Sequence, residues 1–170
     1  MSSDGRLRAY AEISAAADAH SGCGNTVRLF VSLNNRPYKL AFTQAPSEIN
    51  GTADSLGPVA WSPNGHWLAV EFGIWVYAGD AGSLDLLVYD ARHQSVKTPQ
   101  VIKQIERRLG KRCEVDLLSV VEFDSRSRIV LRLADRTDEE GHASGCIQGT
   151  ADWLYDSATG SSTPRPATRN

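Results

Sequence analysis

Apolar and polar residues alternate along most of this chain in short runs, and the runs are separated by turn formers. Trp67-Leu68-Ala69-Val70 and Leu84-Asp85-Leu86-Leu87-Val88-Tyr89 are rich in β-branched, aromatic and aliphatic residues, and each is bounded by Gly, Asn, Asp or Pro. Such runs predict half-buried strands joined by tight turns, a meander rather than βαβ units. One segment has the helical period instead. In residues 99–109, Val101, Ile102, Ile105 and Leu109 fall on one face and charged residues fill the other. Thr98 is placed to cap this helix, Pro99 to occupy its first turn and Gly110 to end it.

The strand pattern repeats. Trp61-Ser62-Pro63-Asn64-Gly65-His66-Trp67-Leu68 has an aromatic residue, a Pro-Asn-Gly turn and a second apolar strand. Pro presets φ in such a turn and Gly accepts positive φ. Phe123-Asp124-Ser125-Arg126-Ser127-Arg128-Ile129 repeats the outline, and so does Ser2-Ser3-Asp4-Gly5-Arg6-Leu7. Gly5 and Gly65 are 60 positions apart, and Trp61 and Phe123 are 62 apart. A second strand ending in a turn follows each copy, at Val27–Asn35, Leu84–Asp90 and Asp152–Asp156. The Asn34-Asn35 pair suits a two-residue hairpin because Asn tolerates the left-handed region.

With these residues in view, the chain resembles the blades of TolB-type (a bacterial-type repeat) and WD-like β-propellers, over residues 2–36, 59–96 and 117–163. The resemblance implies a mostly β fold of three blade-like antiparallel repeats with one inserted α-helix. A single repeat domain is expected over residues 1–163, with repeats at about 2–45, 59–98 and 117–163, the helix at 99–109 and a mobile tail at 164–170. Two features depart from the family. The period exceeds the usual ~40–50 residues, and three blades fall short of the ~4–8 that close a ring. The first repeat also lacks room for an innermost strand. Polar insertions at residues 15–24 and 135–149 are expected to form loops lengthening the first and third repeats.

Composition changes this picture little. The chain has 170 residues, 22% of them charged, and a net charge of −2. No stretch concentrates Lys and Arg along a face, so no nucleic-acid partner is expected. No apolar run reaches the ~18 residues of a membrane span, so no membrane partner is expected. No secretory leader is legible at the start. The expectation is a cytoplasmic protein as the chain stands, and a periplasmic or secreted one if a leader has been removed.

Candidate chemistry is sparse. His20 and Cys23 in the first repeat, and His142 and Cys146 in the third, lie in equivalent insertions. Three readings stay open: unrelated loop residues, a Cys23–Cys146 disulfide with Cys113 apart, or a four-ligand zinc site. Asp135, Asp138, Glu139 and Glu140 form an acidic cluster whose spacing does not follow a calcium loop. Gly141-His142-Ala143-Ser144-Gly145 displaces its serine from the nucleophile-elbow pattern. Trp75 and Tyr77, in an apolar run before a Gly-rich loop, are core residues or a contact patch. What the resemblance implies is a non-enzymatic protein-binding or scaffold module without a cofactor. The alternatives are a small metal-dependent protein or enzyme with a site between the His/Cys loops, and a self-associating structural domain whose two copies complete a six-bladed ring.

Overall fold

A computed structural model describes residues 1–2, 5–18, 22–45, 52–76, 82–110, 113–138 and 140–166, with residues 16–18 and 22–23 described by strand placement. The fold is mostly β, with three antiparallel sheets and one helix. The first sheet contains β1 (Leu7–Asp18), β2 (Gly22–Leu33) and β3 (Lys39–Gln44). The second contains β4 (Thr52–Trp61), β5 (Trp67–Val76), β6 (Gly82–Asp90) and β7 (Ser95–Lys97). Helix α1 (Val101–Leu109) leads to the third, with β8 (Val115–Phe123), β9 (Ile129–Asp135), β10 (Thr150–Asp156) and β11 (Ser161–Pro164). Each sheet is a meander in which sequence neighbours pair.

The repeat has a physical counterpart in its turns. Before β5, the Ser62 amide donates to the Trp67 carbonyl, the Gly65 amide to the Ser62 carbonyl, and the Trp67 amide to the Ser62 hydroxyl. Before β1, Ser2, Gly5 and Leu7 make the same three bonds. Before β9, Asp124 replaces the serine and accepts the Arg128 amide. The left-handed position of this turn holds Gly5, Gly65 and Ser127, with φ of 71°, 68° and 62°. A second kind of turn also recurs. Asp90 accepts the amides of Arg92 and His93 after β6, and Asp156 those of Ala158 and Thr159 after β10. The first repeat uses Asn34 and Asn35 there, both left-handed, in place of the carboxylate.

This correspondence aligns β1 with β5 and β9, β2 with β6 and β10, and β3 with β7 and β11. Among the described residues, the strands β4 and β8 have no equivalent in the first sheet, which has three strands where the others have four.

The second sheet lies between the other two and is buried on both faces. Leu68, Val70, Leu87 and Tyr89 pack with Val27, Leu29 and Val31 of β2. The alternate residues Ala69, Leu86 and Val88 pack with Ile129, Leu131, Trp153 and Tyr155 of the third sheet. This explains the unbroken apolar run Leu86-Leu87-Val88-Tyr89, since a strand covered on both sides has no polar face. Val101 and Ile105 join the second core, with Ile102 and Leu109 packed against it. Two polar ties connect the layers. Asn25 of β2 exchanges side-chain hydrogen bonds with the main chain of Asp54 in β4. In β8, irregularities at Leu118 and Val121 interrupt the ladder, and the Val120 amide donates to the Glu71 carboxylate of β5, at 2.6 Å.

Two expectations need correction. Residues 15–24 are largely strand rather than loop, because β1 and β2 stay in register from Leu7↔Leu33 to Asp18↔Gly22. The helix begins at Val101, after Gln100 at the cap position with no side-chain cap bond; the Val101 amide donates to the Pro99 carbonyl instead. Thr98 therefore does not cap it. The last four residues of the expected mobile tail lie outside the described residues. Among the described residues, no helix is long and apolar enough to cross a membrane.

Candidate interaction surfaces

The meander order puts the three tight Ser or Asp turns at one rim of the stack and the β1–β2, β5–β6 and β9–β10 connections at the other. The cysteines and the His142 loop belong to this second rim. Cys146 is bonded to Cys113, with a Cα–Cα distance of 5.8 Å. This overturns the Cys23–Cys146 pairing and the expectation that Cys113 stands apart. The reason is the layering: Cys23 lies on β2, opposite Ala17, in the first sheet, while Cys146 belongs to the third. The second sheet separates them. Cys113 lies ahead of the third repeat, just before β8, and the fold brings it to the β9–β10 connection that holds Cys146.

The disulfide also removes Cys146 from any zinc set. His20 lies outside the described residues. His142 sits in the β9–β10 connection, where its Nδ1 is 3.4 Å from Asp138 and 3.5 Å from Glu140. Ligand atoms of Asp138, Glu140 and His142 fall within 4.8 Å of one another, and all three residues are exposed. The Asp138 carboxylate also accepts the amides of Glu140 and His142, so it holds the turn together. Asp135 braces the same connection by accepting the Ser144 hydroxyl and the Ile147 amide. Glu139 lies outside the described residues.

Trp75, next to the last residue of β5, is 44% exposed, beside the exposed Ile74 and Val76. Its indole N–H donates to the Ser55 hydroxyl, at 2.9 Å. The ring lies on Gly82, its cross-strand partner, where an added Cβ would come within 2.2 Å of it. Only a glycine leaves room for the indole there. Tyr77 lies outside the described residues.

Beside the helix, a cleft of about 460 Å³ is lined by Asp85, Lys103, Glu106, Asp116 and Arg136, among others. Burial pushes the Asp85 carboxyl above its ordinary range, against the opposing pull of Lys103. The hydrogen bond to Asp116, at 2.8 Å, raises the already high Arg136 pKa.

The two ends of the stack differ. On the outer face of the third sheet, Arg132 pairs with Asp152, and Arg165 reaches both Asp152 and Glu122. Arg136 pairs with Asp116 near the start of β8. On the outer face of the first sheet the residues are aromatic. Tyr10 stacks on Phe30 with ring centres 5.0 Å apart and meets Tyr38 edge-on at 4.9 Å. Tyr10, Tyr38 and Leu40 are 41%, 45% and 53% exposed. Arg28 and Glu12 pair beside them, at 2.9 Å. Sequence reading did not single out these residues, although Tyr10 between Arg8 and Glu12 already marks an aromatic on the polar face of β1. Comparison with protein-family models, curated proteins and solved structures finds no match to this chain.

Proposed function

We propose that the chain is a non-enzymatic protein-binding module, an open array of three propeller-type blades that recruits its partner through the outer face of the first sheet. The observation that carries this reading is the cluster of Tyr10, Phe30, Tyr38 and Leu40 on that face. Exposed aromatics that are already stacked on one another lose little conformational freedom on contact, and Tyr combines apolar area with a hydroxyl. The Arg28–Glu12 pair at the margin supplies a polar rim. The residues at the opposite end of the stack, Arg132, Asp152, Arg165 and Glu122, are already engaged in ion pairs with one another. Support for the propeller-type description comes from the recurring turn and from the face-to-face packing of the sheets.

The test places a photo-crosslinking residue at Tyr38 and, in a second protein, at Arg132, and irradiates both in cells of the source organism. A discrete protein adduct at position 38 and none at position 132 is expected. Adducts of equal yield at both positions, or none at position 38, would overturn the assignment.

A further inference from the structure

An unpaired sheet edge is a template for another strand, and natural sheets blunt their edges with short strands, bulges or proline. Among the described residues, five of the six edge strands are blunted. Strand β7 has three residues, and β11 has four and ends at Pro164. The register shifts in the β2–β3 pair, in the β4–β5 pair next to Pro58, and twice in the β8–β9 pair. Strand β1 is the exception. It runs for 12 residues with no proline and stays in register with β2 throughout.

The open groups on this edge can be identified. The Leu7 carbonyl and amide bond to Ser2, on the side away from β2. Backbone groups alternate sides along a strand. The odd-numbered residues of β1 therefore face the free edge and the even-numbered ones bond to β2. With Leu7 already engaged, the groups of β1 left without a partner among the described residues belong to Ala9, Ala11, Ile13, Ala15 and Ala17. The aligned edges of β5 and β9 are filled by β4 and β8, so the stack accommodates a strand at this place.

We infer that β1 pairs with β1 of a second copy of this chain, antiparallel about a two-fold axis at Ile13, to make one six-stranded sheet. The open set is symmetric about Ile13, so this register brings Ala9 opposite Ala17, Ala11 opposite Ala15 and Ile13 opposite itself. Every open group finds a partner, as an isologous contact requires. A register centred on Ala11 leaves Ala15 and Ala17 unpaired. Four of the five residues are alanines, which allow close approach, and the fifth, Ile13, is 55% exposed and would be covered by its own copy. On the other face Glu12 falls opposite Ser14, with no like charges opposed. The pairing sets the two aromatic faces side by side on one sheet. It differs from the ring-completing dimer, which would join the first sheet of one copy to the third of the other.

The experiment uses cysteine capture in a Cys23→Ser background. Glu12→Cys and Ser14→Cys proteins, oxidised separately, should each stay uncrosslinked; mixed, they should form a covalent dimer, because residues 12 and 14 face each other across the axis. Equal crosslinking of either protein alone would overturn the register. Light scattering over a dilution series should show the unmodified chain moving from twice 18.5 kDa towards 18.5 kDa. Ala11→Pro deletes an edge amide that does not bond to β2. It should keep the native circular dichroism spectrum while weakening the dimer at least about tenfold. A constant 18.5 kDa for the unmodified chain at all concentrations, with no product from the mixed cysteine proteins, would sink the proposal. Crosslinking of a different protein through position 38 would leave the binding function intact in that case.

Discussion

Breaking the Cys113–Cys146 bond tests how far the third sheet depends on a covalent clasp. The bond closes a span of 33 residues that contains β8 and β9. In the native state these strands are already fixed by the core around Ile129, Leu131 and Leu133, so the bond adds little constraint there. In the unfolded chain it removes loop freedom, and the chain-entropy relation gives about 3–4 kcal/mol for a loop of this length. For a chain of this size, that corresponds to a fall in melting temperature of about 7–15 °C. The assay is urea and thermal unfolding with and without reductant, beside a Cys113→Ser/Cys146→Ser protein that should match the reduced form and ignore reductant. Peptide mapping of the oxidised protein should recover residues 113 and 146 in one linked pair. A stability change below about 1 kcal/mol on reduction, or a linked pair containing Cys23, would refute the reasoning.

Three further outcomes are expected. Ser127 holds the left-handed position that Gly5 and Gly65 hold in the other repeats, so Ser127→Gly should raise stability by about 0.5–1 kcal/mol in urea titrations. Burial raises the Asp54 carboxyl pKa. Its charged form is therefore disfavoured in the fold, and the stability linked to its protonated form is lost as pH rises through the raised value. Asp54→Asn should stabilise the protein at pH 7, with the gain disappearing below about pH 4, where the wild-type group is protonated too. At Asp90, burial pushes the pKa up, but the hydrogen bonds from His93 and Arg92 and the His93 charge outweigh it and hold the pKa below the ordinary range. That contribution is present above the unfolded carboxylate value and lost as pH falls towards the lowered folded one. Asp90→Asn should accordingly narrow the difference in unfolding free energy between pH 6 and pH 3.

The parts of this fold that were legible in the sequence are those written in local chemistry. The turn Ser62–Trp67 announces itself through Pro63, Asn64 and Gly65, and its copies could be found by spacing alone. Residues 15–18 and 22–24 were misread because alanines, Asp18 and glycines look like a loop; only pairing with a partner strand makes them β, and that partner is a tertiary fact. The cysteine pairing was misread for a related reason. Equivalent positions in two repeats suggest proximity, but an intervening sheet keeps the first and third repeats apart. The aromatic face was hidden because alternation tells which residues share a side, not whether that side meets another sheet.

The division of the stack into two unlike rims has a consequence for how this protein can change. At one rim the spacing of the turn is set by hydrogen bonds that count residues: Ser62 must reach Trp67, and Asp90 must reach both Arg92 and His93. Before β9 the turn closes one residue sooner, from Asp124 to Arg128, and there an aspartate stands in place of the serine, so a change of length at this rim needs a matching change of the residue that holds the turn. At the other rim, the connections between β1 and β2, β5 and β6, and β9 and β10 already differ in length without changing the sheets they join. Evolutionary or engineered variation in length is therefore expected at that rim. New peptide segments can be grafted between Val76 and Gly82 while the three sheets stay as they are.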